Sequence, residues 1–166
     1  MERVMIIGCG GAGKSTLARK LGEKTGLPVV HLDQIWWEPG NWQHLEKPEF
    51  DRRLKAELEK PRWILDGNFN RTIGMRLAAC DTVIFLDFPS DVCLEGIRAR
   101  RGVPRSDLPW IETEEDEEFF SFVKRFGQTE RPRILALLEQ YKDRKNIIVL
   151  KDRREAERFL ASLGQN

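Results

Sequence analysis

The stretch GCGGAGKST, residues 8–16, constrains this chain more than any other. It follows the apolar run Val4-Met5-Ile6-Ile7 and opens the helical pattern Lys14–Lys24, whose Leu17, Ala18 and Leu21 share one face. Gly8-x-x-x-x-Gly13-Lys14-Ser15 matches the phosphate-binding P-loop pattern in full. Glycines let backbone N–H groups turn inward around phosphate oxygens with no Cβ in the way. The helix that follows presents its positive end to the anion. Gly8, Cys9, Gly10, Gly11, Ala12, Gly13, Lys14, Ser15 and Thr16 are therefore the expected nucleotide-binding residues. Lys14 is expected at the β and γ phosphates and Ser15 at Mg²⁺, which makes ATP and Mg²⁺ the expected cofactors. Cys9, inside the loop, reads as a small side chain that fits.

The rest of the chain repeats a strand-then-helix rhythm. Apolar, β-rich runs occur at Val4–Ile7, Val29–Leu32, Trp63–Leu65, Val83–Leu86 and Ile147–Leu150. They are continuous rather than alternating, as in strands buried on both faces. Helical patterns lie between them: Phe50–Lys60, one capped by Ser90 and running to about Arg101, one opened by Pro132 and running to about Tyr141, and one capped by Asp152. This predicts an α/β fold with a parallel sheet and right-handed crossovers. Its 166 residues suit one domain over 1–166. Two stretches break the rhythm: tryptophan-bearing Gln34–Pro48, and Gly102–Glu118, rich in arginine and then acid. Insertions on such a core often form lids or substrate loops.

Composition removes several alternatives. Three cysteines, none in a C-x-x-C pair, suggest neither a disulfide framework nor a zinc site. No apolar run approaches a membrane span, and no secretory leader is evident, so the cytoplasm is the expected compartment. A net charge of +1 gives no support for direct nucleic-acid binding. The acidic run Glu114–Glu118 reads as a solvated helix start rather than a metal site, because consecutive acids point in different directions.

The P-loop alone does not separate kinases, GTPases and motors. There is no N-K-x-D guanine motif and no long Walker B strand ending in two acids. The stretch WILDGNFNRT, residues 63–72, resembles the strand and loop of adenylate-kinase-like enzymes, and VIFLDFP, residues 83–89, resembles their next strand. The resemblance implies a five-stranded sheet in the order 2-3-1-4-5 with helices on both faces and a small lid. It implies Asp66 as the carboxylate facing Mg²⁺, with Asp87 as the second candidate, and Arg71 as the holder of an acceptor anion. The cluster Arg98, Arg100, Arg101 and Arg105 matches the arginine-bearing lid of those kinases, over about residues 98–118. Mobile guanidiniums there would clamp the transferring phosphoryl group. One departure stands out: those kinases carry a further arginine where this chain has Gly96, so that either Arg98 substitutes for it or adenine stacking differs. Arg131 or Arg125 could also reach phosphates.

HLDQIWW, residues 31–37, ends the second strand and begins an acceptor-side insertion over about residues 33–60. Asp33 matches the aspartate that shikimate and gluconate kinases place against the acceptor hydroxyl, as base or orienter. His31 reads as a packed strand residue. Trp36, Trp37 and Trp42 form either a stacking wall for a ring-bearing acceptor or a satellite core. Together HLDQIWW, WILDGNFNRT, FLDFP and the arginine lid look like the bacterial "DNA topology modulation protein" (FlaR-related) family, an adenylate-kinase-like P-loop group. The resemblance spans nearly the whole chain. It implies ATP- and Mg²⁺-dependent phosphoryl transfer to a small acceptor, a nucleotide or a hydroxyl metabolite. The alternative is a nucleotide-binding regulator that affects DNA topology through DNA or a protein partner, with little turnover.

Overall fold

The computed structural model describes residues 1–37, 43–108, 110–113 and 116–164. Five parallel strands form one sheet: β1 (Arg3–Gly8), β2 (Val29–His31), β3 (Trp63–Asp66), β4 (Thr82–Leu86) and β5 (Asn146–Leu150), in the order β2-β3-β1-β4-β5. Every residue of β3 and β4 is buried, so helices cover both faces of the sheet, as the unbroken apolar runs require. The helices are α1 (Lys14–Thr25), α2 (Leu32–Trp36), α3 (Lys47–Leu58), α4 (Ile73–Ala79), α5 (Ser90–Arg100), α6 (Glu117–Tyr141) and α7 (Arg153–Ser162). The predicted sheet order and parallel sense are observed. Among the described residues no helix is long and apolar enough to cross a membrane.

The register places the chemistry. Ile6 pairs with Asp66, and His31 pairs with Asp66 from the other side. Gly8 pairs with Leu86, so Asp87 emerges on the far flank of the P-loop strand. Three carboxyl strand ends (β1, β2 and β3) thus converge at one rim of the sheet, where open α/β folds bind ligands.

Three boundaries differ from expectation. β2 stops at His31, and Leu32 starts α2, so Asp33 lies in the first turn of a short helix instead of at a strand end. Leu32 is fully buried there, and turning into a helix seats it in the core. α3 begins at Lys47 rather than Phe50, with Pro48 in its first turn, where a missing N–H costs nothing. Pro132 does not open a helix. It sits inside α6, a continuous 25-residue helix. The buried face of Val123, Phe126, Ile134 and Leu138 runs on both sides of the proline, and this packing outweighs the one hydrogen bond that proline cannot donate.

Candidate active site

The P-loop links β1 to α1. Gly13 adopts a left-handed conformation (φ 96°) just before α1, and no side chain caps that helix. Gly13, Lys14, Ser15 and Thr16, at that uncapped end, line the loop cavity, where an anion site would be built. The loop is packed tightly from behind. A Cβ on Gly96 would lie 2.1 Å from the Gly11 carbonyl oxygen, and one on Gly11 (φ 81°) 2.0 Å from the Cys93 carbonyl oxygen, so α5 touches the loop backbone. Cys9 is buried, and its hydrogen bond with Cys93, then burial, hold its thiol in the protonated form.

Lys14 curls over the loop, its Nζ donating to the carbonyls of Gly8 (2.9 Å) and Cys9 (3.1 Å). Desolvation lowers its pKa, against the opposing pull of the Asp66 and Asp33 carboxylates. Asp66 is buried, and its Oδ1 meets His31 Nδ1 at 2.9 Å, whereas its Oδ2 has no hydrogen-bond partner. A buried carboxylate oxygen left without a partner is costly unless a cation or water occupies it. Burial lowers the His31 pKa, but the hydrogen bond to Asp66 and its charge outweigh that, so the net shift is upward. His31 is therefore the positioning partner of Asp66. Period alone could not reveal this, because the pairing depends on the β2–β3 register.

Asp87 is held elsewhere. Arg131 grips it with two bonds of 2.7 and 2.9 Å, outside the cleft. Of the two carboxylates, only Asp66 lines the cavity beside Lys14 and Ser15. Among the described residues no cluster of three or more His, Cys, Asp or Glu could hold a metal. Mg²⁺ suits such a place, since it keeps most of its waters and needs few protein oxygens. Ser15 Oγ and the unpartnered Asp66 Oδ2 fit that role.

The cavity encloses about 1310 Å³ between the P-loop, the strand ends and the segment after α5. Asp33 lines it, and burial raises its pKa above the ordinary aspartate value, with Lys14 opposing and Asp107 and Asp66 adding to the rise. Residues 103–108, with Trp110 and Glu112, line the opening. Ser15 Oγ donates to Asp107 Oδ2 at 2.9 Å, and Arg19 reaches Ser106 Oγ at 2.9 Å. Gln34 donates to the Ser106 carbonyl. Arg105 is bound to Asp107 and, at 3.0 Å, to Glu112. Arg100 Nε lies 2.9 Å from Glu112, an off-axis charge contact. Asp107, almost fully buried, is a cleft residue that the spacing did not single out.

The predicted arginines divide. Arg100 and Arg105 line the cleft; Arg101 is exposed and outside it. Arg98 lies over the Phe120 ring rather than beside the loop. The space at Gly96 is filled from α7, where the Arg153 guanidinium lies 3.2 Å from the point a Gly96 Cβ would occupy and 3.5 Å from the same point on Gly13. Arg153, not Arg98, is the arginine next to the missing side chain. Arg125 donates to the Ser121 carbonyl of its own helix.

Arg71 lies away from the P-loop cleft. Its guanidinium forms a bidentate pair with Asp51 at 2.7 Å on the surface and does not line the main cleft. Five residues on, Arg76 is fully buried. It donates to the carbonyls of Gly67 (2.8 Å), Asn68 and Phe69 (3.3 Å) and to Thr72 Oγ1, and burial lowers its pKa to about 9. It braces the loop in which Phe69 takes a left-handed conformation (φ 34°) and Asn68 Oδ1 accepts from the Gly8 N–H at 3.1 Å. The D-G-x-x-x-R spacing names the first arginine, yet the helical turn beginning at Ile73 aims the second one inward.

The tryptophans divide as well. Trp36 packs on Phe50, Phe69 and His44 as a satellite core. Trp37 lines the cleft and meets Trp110 edge to face at 4.7 Å. Trp42, Glu114 and Glu115 lie outside the described residues.

No protein-family model matches this chain. Two curated sequences named adenylate kinase, both from Thermotoga neapolitana, are 29% identical to it over 89 residues, or 52% of this chain and 39% of theirs. The match thus spans well under half the length of those relatives. The crystal structure of a shikimate kinase from Bacteroides thetaiotaomicron superposes with a TM-score of 0.58 at 18% identity, covering 98% of this chain and 95% of that one. The fold is that of a P-loop kinase.

Proposed function

We propose that this chain catalyses ATP- and Mg²⁺-dependent phosphoryl transfer to a small acceptor, a nucleotide or a hydroxyl metabolite, as the adenylate-kinase-like P-loop enzymes do. One observation carries the reading. Lys14 and the uncapped N-terminus of α1 face a cleft in which Asp66 offers a buried, unpartnered oxygen and Asp33 stands as a second carboxylate. Residues 8–16 would wrap the triphosphate, and Ser15 and Asp66 would hold Mg²⁺, directly or through its waters. When bound, Mg²⁺ supplies charge neutralisation between the β and γ phosphates.

The chain's own groups account for the rest. Asp33 orients the acceptor hydroxyl and takes its proton as the oxygen attacks the γ phosphorus; the bond to the bridging oxygen breaks and ADP leaves. Lys14 follows the developing charge on the phosphoryl oxygens. Arg100 and Arg105 close from the other side and exclude water. The resemblance to the DNA topology modulation proteins supports the same reading, along with a single domain over 1–166 and a cytoplasmic setting. No observation in the cleft favours the regulator alternative.

The test is ATP consumption across nucleosides, nucleotides and sugar acids, with Lys14→Ala as control. Turnover with at least one acceptor, lost in the variant, is expected. Flat consumption throughout, with duplex DNA raising ATP affinity, would replace the kinase with the regulator.

A further inference from the structure

On the phosphoryl-transfer reading above, the geometry points to one acceptor class: an uncharged alcohol carrying a flat ring, of the nucleoside kind, rather than a phosphate ester. The wall of the cleft opposite the P-loop decides this. Its carboxylates are Asp33 and Asp66 from the sheet rim and Asp107 from the crossing segment, and the arginines on that side, Arg100 and Arg105, are already paired with Glu112 and Asp107. The cations within reach are committed. Lys14 lies on the loop carbonyls, Arg105 is tied to Asp107 and Glu112, and Arg19 holds Ser106. Arg71, the residue best placed in the sequence to grip a phosphate, is turned outward to Asp51. A dianionic acceptor would thus meet the Asp33 carboxylate, with Arg19, Arg100 and Arg105 already bound to other partners, and like charges brought together oppose binding.

The same wall suits an apolar, planar group. Trp37 comes from the acceptor side and Trp110 from the crossing segment, and the two rings meet over the cleft. Phe69 adds a third ring, held by the loop that Arg76 braces. Rings from two separate elements enclose a flat ligand only when the crossing segment is down, which couples acceptor binding to exclusion of water. The volume, about 1310 Å³, exceeds the usual range of about 300–1,000 Å³ for one small-molecule pocket, so a nucleotide and a second ring-bearing ligand fit together. Asp33 then meets a hydroxyl, which it can orient and deprotonate. The step balances: the acceptor oxygen bonds to the γ phosphorus, the bond to the β-phosphate oxygen breaks, ADP departs, and the hydroxyl proton passes to Asp33.

The experiment uses the full chain with Mg-ATP. It compares ribo- and deoxyribonucleosides, their 5′-monophosphates, and amino sugars, with the product identified by mass. We expect nucleosides to be phosphorylated with kcat/KM at least about tenfold above their monophosphates, the minimum consistent with like-charge repulsion. Trp37→Ala should raise the nucleoside KM about tenfold with a smaller change in kcat, the scale of one lost aromatic contact. Arg71→Gln should leave that KM within about twofold, as for a surface ion pair outside the site. Preferential use of monophosphates, with KM rising about tenfold in Arg71→Gln, would overturn the inference and leave phosphoryl transfer standing; a gain of that size matches a charge-assisted phosphate contact. Preferential use of amino sugars would also overturn it, in favour of a cationic acceptor. If ATP binds but no compound draws down ATP, phosphoryl transfer itself fails, and this inference fails with it.

Discussion

The two halves of the cleft are built on different principles. The donor half is backbone: glycines, the first turn of α1 and one lysine, all within residues 8–16 and braced from behind by α5. The acceptor half is side chain: Asp33 from α2, Asp66 from β3, Phe69 from its loop, and Asp107 and Trp110 from the crossing segment. A backbone site depends on local conformation and is encoded within nine residues. A side-chain site depends on register, helix phase and ion pairing, and is encoded across nearly the whole chain. The donor half should therefore be general in its ligand and intolerant of change, and the acceptor half specific and separable into parts.

The largest effect should break the donor half. Lys14→Ala removes the cation set against the phosphates and should lower turnover by about 10³–10⁵-fold, the scale of one cation stabilising a transferring phosphoryl group. Circular dichroism should be unchanged, because the lysine bonds only loop carbonyls. Normal turnover in the variant would remove the P-loop from the chemistry.

Asp33→Asn probes the acceptor half. Losing a general base should lower kcat by about 10²–10⁴-fold. In the parent protein the base must be ionised, so kcat should fall as pH drops through the Asp33 pKa. That limb should lie above the ordinary aspartate value of about 3.9, because burial raises the group. The same shift makes the charged form unfavourable in the folded state, so its cost is fully present at neutral pH and is relieved as pH falls through the raised pKa. Asp33→Asn should accordingly raise Tm at pH 7 while it lowers kcat. A fall in both would make Asp33 a structural residue.

Arg100→Ala and Arg105→Ala should lower kcat by about 10²-fold or more, with a smaller loss of ATP affinity, if these cations meet the phosphoryl charge on closure. Arg101→Ala, outside the cleft, should leave kcat within about threefold, well below the effect of one such donor. Equal, small effects in all three would make residues 98–105 a solvated helix end.

Asp66→Asn and Asp87→Asn sharpen the comparison at its seam. The Asp66 variant should raise the Mg²⁺ needed for half-maximal activity by about 10–100-fold, as expected for a group that holds the metal or its waters. The Asp87 variant loses a part-buried ion pair with Arg131 and should lower Tm by about 2–4 °C, with metal dependence unchanged. A larger metal effect at Asp87 would exchange their roles.

The sequence alone determined the P-loop, from the spacing of its glycines, lysine and serine, and the parallel strands, from continuous apolar runs; both follow from short segments, and local spacing is conformation. The strand order, and the expected roles of Asp33 and Asp66, came from the resemblance to adenylate-kinase-like enzymes. It also put an arginine-bearing segment after α5, though not which arginines turn inward. Tertiary structure decided what depends on side-chain direction and pairing. Arg71 turned out to Asp51 while Arg76 turned in, since α4 sets the phase of the second arginine. Arg153, not Arg98, stands beside Gly96, 57 residues away in the chain, because the start of α7 lies against the P-loop. His31 gained its role from the register that sets it against Asp66, and Asp107 from a crossing segment that lays it on Ser15. A charge finds its partner through the closed chain, and no run of adjacent residues records which partner that will be.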